Sequence, residues 1–127
     1  MECPKDLRYL KSHEWAKAEG NNARVGITDF AQHELTDVVY VELPKVGRIV
    51  KAGEAAAVIE SVKTAVDVYS PVSGKVIAVN DKLSSDPGLI NRAPYGDGWI
   101  FAVEMSDKKD WDGLLKSEAY ESQLAGK

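Results

Sequence analysis

The feature that most constrains this chain is the shortness of its β-prone runs and the regularity of the breaks between them. Arg24-Val25-Gly26-Ile27, Val38 to Leu43, Val46 to Val50, Ala55 to Glu60, Ala65 to Tyr69, Lys75 to Asn80 and Trp99 to Met105 are rich in branched and aromatic residues. Turn signals separate them: Glu19-Gly20-Asn21-Asn22, Pro44, Lys51-Ala52-Gly53-Glu54, Ser70-Pro71 and Gly74. Short strands at this spacing predict a small barrel or sandwich, with helices only as trimmings. Asp29 with Gln32 reads as a capping pair that opens a short helix through about Leu35, turning Phe30, Ala31 and Leu35 to the core. Residues 81–98, with two Pro and three Gly, predict a loop with one short helical turn. Ser106-Asp107 predicts the start of a helical tail over about 107–125 that carries Trp111, Leu114, Leu115, Tyr120 and Leu124. Val46-Gly47-Arg48-Ile49-Val50 and Val72-Ser73-Gly74-Lys75-Val76 echo one another across the 60–65 turn, as the halves of a pseudo-twofold sandwich would.

A chain of 127 residues suits one domain, taken as residues 1–127. A formal net charge of −4 with no basic block argues against nucleic acid as a partner. No apolar run is long enough to span a bilayer, so no membrane association is expected. Met1 to Asp6 lacks a signal-peptide core and the Arg- and Ser-rich character of a transit peptide. The expected location is the cytoplasm, or the mitochondrial matrix if a leader has been removed. Cys3 is the only cysteine, so no internal disulfide is possible. His13 and His33 have no further ligand at helical or hairpin spacing, and no metal site is expected. The three tryptophans read as packing residues, and Gly96 and Gly98 as shapers of a loop.

One segment carries chemistry. Between two β-prone runs, Ser61-Val62-Lys63-Thr64 contains no Gly, Pro or Asn, the residues a tight hairpin normally uses. A lysine is thereby offered at a protruding tip, where an acylating enzyme can reach the ammonium group. Spacing alone does not single Lys63 out from twelve lysines, and Lys75 also lies near a turn.

Glu60-Ser61-Val62-Lys63 followed by Ala65 resembles the lipoylation signature of the glycine cleavage H proteins. Further blocks resemble that family in the same order: Ser12-His13-Glu14-Trp15, Val25 to Gln32, Val41-Glu42-Leu43-Pro44, Ser70 to Gly74, and Leu89-Ile90-Asn91 with Pro94 to Trp99. The resemblance spans roughly residues 7 to 124. The chain departs from the family at Thr36-Asp37, where Gly-Asp or Gly-Glu is common, and at Thr64, where Ala is commoner.

The resemblance implies a mostly β lipoyl/biotinyl-type barrel-sandwich hybrid with short helices and a C-terminal helical tail. It implies a non-catalytic carrier, with lipoate amide-linked to Lys63 and Glu60, Ser61 and Val62 recognised by a lipoate-attaching enzyme. The arm would take an aminomethyl group from glycine decarboxylase (P protein) to the tetrahydrofolate-dependent aminomethyltransferase (T protein), and electrons to dihydrolipoyl dehydrogenase (L protein). The loaded arm would lie in a cleft lined by Ser12, Glu14 and Asp67, where a carboxylate pairs with the cationic amine; Glu14 is expected to be partly exposed there. Biotin carriers place Met on both sides of their lysine, and lipoyl domains of 2-oxoacid dehydrogenases an acidic residue before it; Val62 and Thr64 fit neither. A related lipoate carrier serving lipoyl relay or sulfur oxidation would share the hairpin. A hydrolase would need a nucleophile with a base, or paired carboxylates in a pocket, and no such motif is present. A purely structural interaction module would carry no acyl group on Lys63.

Overall fold

The computed structural model describes residues 3–125. Nine strands run β1 (Arg8–Tyr9), β2 (Glu14–Glu19), β3 (Asn22–Ile27), β4 (Val38–Glu42), β5 (Ile49–Val50), β6 (Ala55–Ser61), β7 (Ala65–Tyr69), β8 (Gly74–Val79) and β9 (Phe101–Met105). Five short helices intervene: α1 (Asp29–Leu35), α2 (Lys82–Ser85), α3 (Leu89–Arg92), α4 (Lys109–Asp112) and α5 (Ser117–Ala125). One antiparallel sheet has the order β1-β2-β3-β9-β8-β5, the other β4-β6-β7.

The two sheets share a core to which Val25, Val41, Ile59, Val68, Val76 and Phe101 all contribute. Ile59 is fully buried, a burial worth roughly 2–3 kcal/mol. A second cluster joins Leu7, Tyr9, Trp15 and Tyr120, with Trp99 packed against it. The echo noted in the sequence has a structural counterpart, because the two segments pair with each other. Ile49 faces Lys75 and Val50 faces Gly74, while Gly47 N–H donates to Val76 O and Val76 N–H to Arg48 O. Gly74 is required there, since a Cβ would collide with the backbone oxygen of Glu104 on β9.

Several boundaries differ from the sequence reading. Thr28, not Asp29, caps α1: its backbone is extended and its Oγ1 accepts from Ala31 N–H. Asp29 lies inside the first turn, where its carboxylate accepts from Gln32 Nε2 at 2.8 Å. Val46 and Gly47 form a turn instead of strand, and β9 begins at Phe101, after Trp99 has packed on the second cluster. Residues 81–98 hold two helical turns, α2 and α3. The tail is two helices, broken after α4 at Gly113. Leu114 there enters the core, and the Leu115 backbone exchanges two hydrogen bonds with Tyr9 at 2.8 and 2.9 Å. That sheet-like pairing cannot coexist with a continuous helix.

Candidate functional site

Lys63 sits exposed at the β6–β7 tip. Its hairpin closes without glycine because the Ser61 side chain takes over that role. Ser61 N–H donates to Thr64 O at 2.8 Å. Ser61 Oγ accepts from both Lys63 N–H and Thr64 N–H at 3.1 Å and donates to Thr64 O. A hydroxyl that satisfies two turn amides removes the need for positive φ. Val62 N–H donates to Asp37 O at 3.0 Å, which ties the tip to the loop after α1. The Val62 side chain is 67% exposed, and Glu60 is exposed beside it. Lys63 forms no ion pair among the described residues; its Nζ donates to the backbone oxygen of Glu34 at 3.3 Å. Lys75 is not at a tip at all, being held in β8 between Ile49 and Glu104.

A cleft of about 160 Å³ opens at Glu34, whose backbone oxygen accepts from Lys63 Nζ. Ser12, Glu14 and Asp67, drawn from distant parts of the sequence, all line it. Phe30, Ala31, Glu34 and Leu35 supply the α1 wall, and Ile27 and Val66 extend the apolar surface. The α1 residues recur at the spacing that one helical face presents. The helix is pinned at both ends by α3 and the loop that follows it. Tyr95 Oη accepts from Asp29 N–H at 2.9 Å. Asn91 accepts from Val38 N–H at 2.9 Å and donates to Thr36 O at 2.7 Å.

Glu14 differs from expectation: it is buried, with only 2% of its surface exposed. Ser12 Oγ donates to its Oε1 at 2.5 Å and Tyr69 N–H to its Oε2 at 2.8 Å. Burial raises its pKa above the ordinary carboxylate value, and the two hydrogen bonds offset that only in part. Asp67 on β7 is the exposed carboxylate of the trio.

Two polar lining residues were not singled out in the sequence as cleft residues. Glu34 contributes its carbonyl to Lys63 and lines the cleft; the helical face shared with Phe30 is the signal that identifies it. His13 lines the cleft from a left-handed backbone conformation (φ 79°). Its Nδ1 lies 2.7 Å from Tyr120 Oη, and its ring packs against Phe30. No local pattern links residue 13 to residue 120.

Comparison with known proteins extends the picture beyond geometry. The family model described as Glycine cleavage H-protein matches residues 7–127. A glycine cleavage system H protein of Thermus thermophilus is 56% identical over 124 residues, covering 98% of this chain and 97% of that protein. Its counterpart from Endomicrobium trichonymphae is 52% identical over 124 residues, covering 98% and 100%. A crystal structure of a glycine cleavage system H protein from Mycobacterium marinum superposes with a TM-score of 0.87 at 38% identity, covering 96% of this chain and 98% of that one. The two-sheet architecture is therefore the lipoyl-type fold, and the chain belongs to the glycine cleavage H-protein family.

Proposed function

We propose that Lys63 is the residue to which lipoate is attached through an amide, and that the cleft beside it shelters the cargo-bearing end of the arm. As a member of its family the chain is a carrier component of the glycine cleavage system. The observation that carries the residue assignment is the exposed Lys63 ammonium, on a tip braced by Ser61 and hydrogen-bonded to Glu34, a residue of the cleft.

The residues present fit such a group. Lys63 offers a primary amine that forms no ion pair among the described residues. The walls of Ile27, Phe30, Leu35 and Val66 suit a hydrocarbon arm, and the carboxylates suit a cationic amine at its end. Lipoate, when bound, supplies the dithiolane that accepts an aminomethyl group and two electrons. The chain itself binds, orients and excludes water. Ser12 and the Tyr69 amide hold the Glu14 carboxyl in one orientation at the cleft base. An incoming cation favours the ionised form of Glu14 that burial disfavours. Asp67 offers a second, solvated negative charge. Catalysis is assigned to the partners: glycine decarboxylase, the aminomethyltransferase and dihydrolipoyl dehydrogenase, with a lipoate-attaching enzyme that reads Glu60, Ser61 and Val62. One tethered arm serves them in turn, at high effective concentration once docked. The cytoplasm is the assigned compartment, which suits a chain whose relatives include bacterial proteins.

The test is intact mass and peptide mapping after incubation with a lipoate-attaching enzyme. A single lipoyl adduct on Lys63 is expected, and none in Lys63→Arg. An adduct on Lys75, or one retained in Lys63→Arg, overturns the assignment.

A further inference from the structure

We infer that Tyr120, on the C-terminal helix, is a positioning residue for the cleft: its hydroxyl links Thr28 to His13 and holds the His13 ring in the cleft wall as a neutral imidazole whose Nδ1 accepts. The inference rests on the reading of the cleft given above. Its basis is the direction in which protons must run along a buried chain of hydroxyls. Thr28 is fully buried. Its Oγ1 accepts from Ala31 N–H and lies 2.7 Å from Tyr120 Oη. Among the described residues that Oη is the one acceptor within reach of the Thr28 proton. A buried hydroxyl proton without an acceptor is strongly disfavoured, so Thr28 donates to Tyr120. The Tyr120 proton then goes to His13 Nδ1, 2.7 Å away. An accepting Nδ1 puts the ring proton of a neutral imidazole on Nε2.

Reversing the chain, as an imidazolium requires, strands the Thr28 proton in the interior. Burial pushes the Tyr120 hydroxyl up to about 12, so it keeps its own proton. Glu14, Glu34 and Asp67 line the same cleft and favour a cation within it. The relay opposes them, and a neutral wall leaves those carboxylates to a cationic cargo. The geometry is rigid. Tyr120 stacks on Tyr9 at 4.6 Å with planes 5° apart, and Tyr9 is bridged to Leu115 by backbone hydrogen bonds. Thr28 also caps α1, so one hydroxyl sets two walls of the cleft.

Tyr9 provides a matched control. It is the other ring of the stack, but its hydroxyl donates to Pro4 O, and neither Tyr9 nor Pro4 lines the cleft. The first measurement uses the chain without lipoate. Long-range proton–nitrogen spectra at pH 7.5 should show the His13 Nδ1 as an unprotonated acceptor. A protonated Nδ1 overturns the relay, and this reading does not depend on any variant folding. The second uses lipoylated, aminomethyl-loaded protein with no aminomethyltransferase present. Formaldehyde and ammonia release should be several-fold faster in Tyr120→Phe than in wild type, and unchanged in Tyr9→Phe. Equal rates in all three, or equal acceleration in both variants, overturns the positioning role. If wild-type protein releases cargo as fast as free aminomethyl-dihydrolipoamide does, the cleft reading itself fails, which is a separate result.

Discussion

Ser61 shows how one side chain can replace a backbone preference. Its hydroxyl serves two amides and one carbonyl in the Lys63 turn. Ser61→Ala should lower stability by about 1 kcal/mol and slow lipoylation. Ser61→Thr should restore both, as read by thermal unfolding and by the rate of adduct formation. Thr36 is the opposite case. It holds φ 62°, ψ −146°, a conformation nearly reserved for glycine. Thr36→Gly should therefore raise stability by about 1 kcal/mol, and an unchanged or lower denaturation midpoint would refute the strain. Glu14 makes pH a third residue-scale probe. Its folded pKa is raised, so the native state holds this proton after the unfolded chain has released it. The resulting stabilisation is full below the ordinary glutamate pKa and is lost as pH rises through the folded value. The unfolding midpoint of wild type minus that of Glu14→Gln should fall as pH rises from about 4.5 toward neutrality. A flat difference would mean that burial does not control this carboxyl.

Among the elements, the strands were the most legible. From β3 onward they hold branched or aromatic residues, a signal that needs no distant information, whereas β1 and β2, poor in branched residues, were not read as strands. Their ends were less so, because β5 and β9 stop where packing stops. Val46 turns out at a glycine, and Trp99 leaves the sheet to join the second cluster. The capping of α1 shows the same limit: Thr28 and Asp29 are both good caps in sequence, and only the extended backbone of Thr28 chooses between them. The β8–β9 pairing supplies a sharp test of close approach. Gly74→Ala would press a methyl into the backbone oxygen of Glu104, which has no rotamer to escape into. The expected loss is about 3 kcal/mol or more, measured by denaturant unfolding.

At the scale of the whole molecule, the second cluster binds the C-terminal helix to the N-terminal strands. Tyr120 and Tyr9 are both fully buried and stacked, and Gln123 Nε2 donates to Lys11 O at 2.8 Å. Tyr120→Ala should cost about 3–5 kcal/mol and lower the melting temperature by well over 5 °C. A change below about 1 kcal/mol would mean that α5 is only loosely docked.

What the sequence by itself determined was local: strand runs, the turn at Ser61-Val62-Lys63-Thr64, and the ordered blocks that carry the family resemblance. These depend on side-chain shape and on hydrogen bonds between near neighbours. Tertiary structure alone decided which residues share the cleft and in what state. Ser12, Glu34 and Asp67 meet there only because the β1–β2 turn, α1 and β7 converge. Glu14 is buried because the Tyr69 amide, 55 positions away, closes over it. His13 faces Tyr120 across 107 positions because the tail breaks at Gly113 and folds back along β1. Burial and long-range hydrogen bonding are properties of surfaces brought together, and no window of sequence contains both of the surfaces.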